Sequence, residues 1–138
     1  MIPRSGGAGR FSERPAGPFL RESIGMRNEL EVITHTYDLL LWTLNHTAKF
    51  PRSHRHGLGQ RIEDKTHRLL ECLVEAKFSS EKAELLRQAS LRVEELRLLF
   101  RITRDIRILS IGSQGFASQK LDQIGRQIGG WRRGSRGP

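Results

Sequence analysis

Apolar residues recur at helical spacing in four successive segments, and none of these alternates with the period of two that marks a strand. The first places Val32/Ile33, Tyr37, Leu40/Leu41, Leu44 and Ala48 on one stripe, which predicts a helix from about Asn28 to about Lys49. Asn28 suits the N-cap, and Glu29 and Glu31 suit a first turn where the helix dipole favours acids. The second carries Leu58, Ile62, Leu69, Leu70, Leu73, Val74 and Ala76 to about Lys77; it starts either at an early cap on Ser53 or just after Gly57. A Phe78-Ser79-Ser80 turn, with Ser80 as cap, introduces a third helix from about Glu81 to Leu109. The fourth follows Gly112 with Ser113 as its cap, carries the narrow seam Phe116/Ala117, Leu121, Ile124 and Ile128, and stops at Gly129-Gly130. Short loops join antiparallel neighbours, so the pattern predicts an all-α, up-down-up-down antiparallel four-helix bundle over residues 28–130.

The third segment is the widest. Leu91, Val93, Leu96, Leu98, Leu99, Phe100, Ile102, Ile106 and Leu109 cover more of the helix than the ~100° stripe of a surface helix. One side is expected to pack in the chain's own bundle and another against a neighbouring subunit. Residues 1–27 are rich in Gly, Pro, Ser and Arg, and their few apolar positions share no period. They are expected to form a disordered basic tail, because they bury too little apolar surface to offset ordering entropy. Residues 131–138, which include Trp131, Arg132, Arg133 and Arg136, are expected to form a second basic tail.

Charge adds a partner class. The chain has 24 Lys and Arg against 15 Asp and Glu, a net charge of +9, and that sign suits a polyanion such as RNA or DNA. Arginine's planar fork pairs bidentately with phosphate and stacks on bases. Two groups stand out. Arg97, Arg101 and Arg104 lie at i, i+4 and i+7 on one flank of the third helix, a row that matches an extended polyanion. Arg52, Arg55 and Arg61 lie in or beside Lys49–Arg61, which also holds Pro51, two glycines, His54 and His56 and carries more chemistry than a helix connection needs. Arg132 and Arg133 complete the candidate contacts to nucleic acid or partner.

Other chemistry finds little support. The chain has no nucleophile elbow, P-loop or metalloprotease motif, and Gly57-Leu58-Gly59 lacks the third glycine and the strand of a dinucleotide site. No enzymatic activity and no cofactor are therefore expected. Asp64 and His67 have the i, i+3 spacing of a di-metal bundle, but the other helices supply no matching carboxylates. His46, His54 and His56 lack a fourth ligand, so no metal site is expected. The one cysteine, Cys72, sits in an apolar stripe and fits a reducing compartment. The longest apolar run is four residues and the N-terminus lacks a secretory h-region, so a cytoplasmic protein without a membrane partner is expected.

Three motifs carry a family resemblance. Phe50-Pro51-Arg52-Ser53-His54-Arg55-His56-Gly57-Leu58-Gly59-Gln60-Arg61-Ile62-Glu63 resembles the loop and second-helix start of the accessory variability determinant (Avd) proteins of diversity-generating retroelements. Leu96-Arg97-Leu98-Leu99-Phe100-Arg101-Ile102-Thr103-Arg104-Asp105 resembles their third helix, and Ile124-Gly125-Arg126-Gln127-Ile128-Gly129-Gly130-Trp131 their C-terminal end. The likeness spans roughly residues 32 to 133. It implies a four-helix bundle assembled into a basic, barrel-like homopentamer, and a non-enzymatic role beside a dedicated reverse transcriptase. That family supports adenine-directed mutagenic copying of a template-repeat RNA, whose cDNA replaces a variable region of a target gene. The bundle is also similar to proteins encoded in intervening sequences of bacterial 23S ribosomal RNA genes, which implies a ribosomal-RNA-associated protein instead.

Overall fold

The computed structural model describes the backbone of residues 18–135 and the side chains from Arg27 to Ser135. Four long helices, α1 (Pro18–Thr47), α2 (Gln60–Phe78), α3 (Lys82–Asp105) and α4 (Ile111–Ser135), account for nearly all of it, and no strand occurs among the described residues. Each helix packs on its neighbour in sequence, and α4 closes against α1. The helices therefore form a square in chain order, with α1–α3 and α2–α4 as its diagonals. Because direction alternates, the α1–α2 and α3–α4 connections share one end of the bundle and the α2–α3 turn lies at the other.

The core follows the inward stripe of every helix. Leu39, Ile62, Leu69, Leu73, Leu86, Leu96, Leu121, Ile124 and Ile128 are fully buried, with Phe100 nearly so. Each contributes about 1.5–3 kcal/mol by leaving water. Five buried threonines interrupt this stripe. Thr36 and Thr66 donate to the carbonyls of Val32 (2.8 Å) and Ile62 (2.7 Å) one turn back, and Thr103 donates to Phe100 (2.6 Å). Thr47, at the end of α1, donates to the Glu63 carboxylate in the first turn of α2 and ties the two helices together. Cys72 is buried, and burial pushes its thiol pKa up, which keeps it protonated as a small core residue.

Several boundaries differ from expectation. Helix α1 begins at Pro18, not Asn28. Proline is favoured as a first helical residue, so the helix starts there and runs through Asn28 without a cap. The rest of the expected tail, residues 1–17, lies outside the described residues. Helix α4 does not stop at Gly129-Gly130 but continues to Ser135. Trp131 packs against the core, and that contact carries the helix through two poor helix formers. Its cap is Ser110, whose Oγ accepts the Ser113 N–H at 3.0 Å; Gly112 and Ser113 lie inside the first turn. At the α2–α3 turn Ser79, not Ser80, does the local bonding, accepting the Glu81 N–H at 2.8 Å.

Helix α3 ends at Asp105, four residues before Leu109. The Ile108 N–H returns to the Thr103 carbonyl and the Arg107 N–H to Arg104, both at 2.9 Å, which is the Schellman arrangement. Its left-handed position, usually glycine, is Arg107 at φ 66°. Leu109 then turns inward and is buried, so the residue read as the last of a helix instead anchors the turn after it. Arg107→Gly is expected to raise the stability of the bundle by about 0.5–1 kcal/mol, the relief of the left-handed strain less the entropy of a glycine. Urea unfolding followed by circular dichroism measures it.

Candidate functional site

The end that carries the α1–α2 and α3–α4 connections gathers most of the predicted basic residues. Pro51 ends the first helix and stands in the cap position of a single helical turn, Arg52–His54, which runs into a five-residue π-helical turn, Arg55–Gly59, before α2 begins. The chain is thus helical from Arg52 onward, starting earlier than Leu58 and without a Ser53 side-chain cap. A π-turn widens the helix by one residue and recurs at functional sites. Here it and the turn before it display Arg52, Arg55 and His56 on the outside.

What makes this turn possible is a close contact beneath it. Phe50 is buried, and Gly59 packs on it so tightly that a Cβ there would lie 3.3 Å from Phe50 Cδ2 and 3.4 Å from the His54 carbonyl oxygen. Phe50 and Gly59 thus position the basic turn, while Arg55 Nη2 donates to the Phe50 carbonyl at 3.4 Å.

The predicted arginines fall into three groups. Arg52, Arg55 and Arg61 are exposed, and none has a carboxylate within ion-pairing distance among the described residues. The row on α3 is different. Arg97 is half-buried, crosses to Asp122 on α4 and also meets Glu94 at 3.4 Å. Burial works against its charge, but these two carboxylates more than offset that and hold its pKa above the ordinary value. Gly125 leaves room for the crossing, since a Cβ there would stand 3.4 Å from Arg97 Nη2. Arg104 bonds Asp105 at 2.9 Å, and Arg101 approaches the same carboxylate at 3.9 Å but stays mostly exposed. Arg132 and Arg133 lie in the last turn of α4, at the opposite end. The structure thus brings Arg52, Arg55 and Arg61 to the same end as Arg101 and Arg104, makes Arg97 an α3–α4 bridge, and leaves Arg132 and Arg133 apart.

Two cations absent from the predicted set belong with it. Lys120 and Arg126 lie on α4, and neither pairs with a carboxylate among the described residues. Their signal was compositional: α4 holds four cations and one carboxylate, and that carboxylate, Asp122, is engaged by Arg97. Helix α2 by contrast balances four cations with four carboxylates. Elsewhere acids and bases pair along the helix, as Glu84 does with Arg87 at 2.8 Å, where bonds from Arg87 and Gln88 hold the Glu84 pKa down at about 2. No group of three His, Cys, Asp or Glu side chains gathers as a metal site among the described residues. None of their helices is long and apolar enough to cross a membrane.

The bAvd-like family model matches residues 31–134, three-quarters of the chain and nearly the span of the motif resemblance. The chain belongs to the bAvd-like family. No curated protein and no solved structure shows a significant match. In this bAvd-like bundle the matched span takes in the basic turn, the α3 row and α4 up to its penultimate residue.

Because Gly59 sits against Phe50, Gly59→Val is expected to destabilise the bundle by about 1–3 kcal/mol and to disorder the turn that presents Arg52 and Arg55. Urea unfolding gives the first quantity. Loss of amide-exchange protection confined to residues 50–60 reports the second.

Proposed function

We propose that this bAvd-like protein is a non-enzymatic accessory subunit of a diversity-generating retroelement. It binds the element's reverse transcriptase and nucleic acid, template-repeat RNA or its cDNA, and supports mutagenic copying and retrohoming in the cytoplasm. Family membership over residues 31–134 carries this reading. The unpaired cations Arg52, Arg55 and Arg61 support it, since a cluster of arginines without carboxylates is the electrostatic footprint of a phosphate backbone. Arg101 adds charge at the same end. Arg97 and Arg104 reach ligand only by exchanging the carboxylates they hold.

The same reading includes assembly into a homopentameric barrel. Two apolar stripes support it: Leu30, Tyr37, Leu41 and Leu44 on α1, and Leu91, Leu98, Ile102 and Ile106 along α3 and just past its end, all at least a third exposed. They lie on diagonal helices and so face opposite sides of the bundle. Two different, oppositely directed patches make a head-to-tail contact, which closes into a ring.

Replacing Arg52, Arg55 and Arg61 together by Gln is expected to leave stability within about 0.5 kcal/mol of the parent, because all three are exposed. It is expected to weaken RNA binding and flatten its dependence on log salt by about 2, each phosphate contact on a single strand contributing roughly 0.7. Fluorescence anisotropy across a salt series measures this, and affinity indifferent to salt removes the polyanion reading. Co-purification with the neighbouring reverse transcriptase tests the partner. Recovery with ribosomal RNA and without the polymerase supports the intervening-sequence type of protein instead.

A further inference from the structure

The outward face of α4 combines features that the end cluster does not. Phe116, Gln119, Lys120, Gln123 and Arg126 line one open depression of about 270 Å³ along this helix. No carboxylate lines it. The one acid of α4, Asp122, is turned toward α3 and held by Arg97. Phe116 is 41% exposed although it is a large apolar side chain. It is braced from behind by Trp42 on α1, whose ring lies 5.3 Å away at 32°, and Trp42 in turn stacks on His46 at 3.9 Å. An aromatic ring fixed by a second aromatic layer yet open on its outer side is a stacking platform, and stacking on a side chain demands an unpaired base.

We propose that this face of α4 is a track for single-stranded nucleic acid. Phe116 stacks a base, Lys120 and Arg126 take phosphates, and the Gln119 and Gln123 amides, which both donate and accept, meet base edges or sugars. From Phe116 to Arg126 the helix rises ~15 Å, about four nucleotides at the ~3.4 Å stacked spacing. A duplex offers phosphates to Lys120 and Arg126 but no free base face to Phe116, so the track discriminates between strands and duplexes. The neutral balance of α2 gives the opposite side of the bundle no such property. In a ring closed through α1 and α3, every α4 faces the same side, and the depressions repeat along one strand. The proposal rests on the nucleic-acid reading above and specifies the form of nucleic acid and the helix that takes it.

The test compares the full-length parent with F116A and with K120Q/R126Q. The probes are a fluorescent 20-nucleotide oligouridine and a 20-base-pair RNA duplex, read by anisotropy. The parent is expected to prefer the single strand. F116A is expected to weaken single-strand binding roughly tenfold and leave duplex binding within twofold. K120Q/R126Q, two changes at solvent-facing positions, is expected to flatten the single-strand salt dependence by about 1.4 with no change in helicity. Parent binding to the single strand with both α4 variants unchanged overturns the track while leaving the broader reading intact. A parent that binds neither probe overturns both. F116A losing strand and duplex equally, with K120Q/R126Q unaffected, assigns Phe116 to packing alone and overturns the track.

Discussion

Helices α1 and α3 each carry a stripe of apolar side chains that the bundle does not cover. Helix α1 turns Val32, Leu39 and Leu40 inward and leaves Leu30, Tyr37, Leu41 and Leu44 in water; α3 buries Leu86, Val93, Leu96 and Phe100 and leaves Leu91, Leu98 and Ile102 outside. Burying an inward stripe is what holds the four helices together. The outward stripes do nothing for the monomer, and exposed apolar stripes of this extent mark interaction surfaces. Their placement on diagonal helices matters as much as their presence, because in the proposed ring it gives the subunit two contact sides, on α1 and α3. In that ring the surface left open is what α2, α4 and the bundle ends display.

Charge is sorted along the same lines. Helix α2 is neutral and laced with local pairs, as in Arg68 with Glu75 at 3.2 Å. Exposed pairs of this kind contribute little stability, ~1 kcal/mol at most, but they cancel the field. Around the π-turn and along α4 the cations lack such partners among the described residues, so unpaired positive charge gathers at that end and along α4. Arg97 shows how closely structure and surface are linked. It has the position of a ligand contact and the environment of an interhelix bridge, held by Asp122 over the space that Gly125 leaves.

The bundle was legible because its inward stripes are regular: Ala117, Leu121, Ile124 and Ile128 are all buried as the seam on α4 implies. The excess of apolar positions on α3 also reads directly as two faces. Helix ends were not legible, since each is decided by a contact distant in sequence or by a backbone bond pattern. Trp131 on the core extends α4, Phe50 under Gly59 shapes the turn, and a Schellman closure at Arg107 stops α3 where apolar spacing continues. Of the candidate site, Arg52, Arg55 and Arg61 could be named from sequence because they crowd into one segment. Lys120 and Arg126 could not, because their significance depends on Asp122 being turned toward Arg97, a pairing across two helices that spacing along α4 does not reveal.

The direct measurement is the solution mass of the full-length protein and of its L98D/I102D variant by light scattering, with circular dichroism on both. Leu98 and Ile102 are 65% and 45% exposed, so the variant keeps the fold. A closed oligomer for the parent, of five copies in the proposed assembly, and a helical monomer for the variant is the result this account predicts. A parent that runs as a monomer, or a variant that keeps the parent's mass, contradicts it.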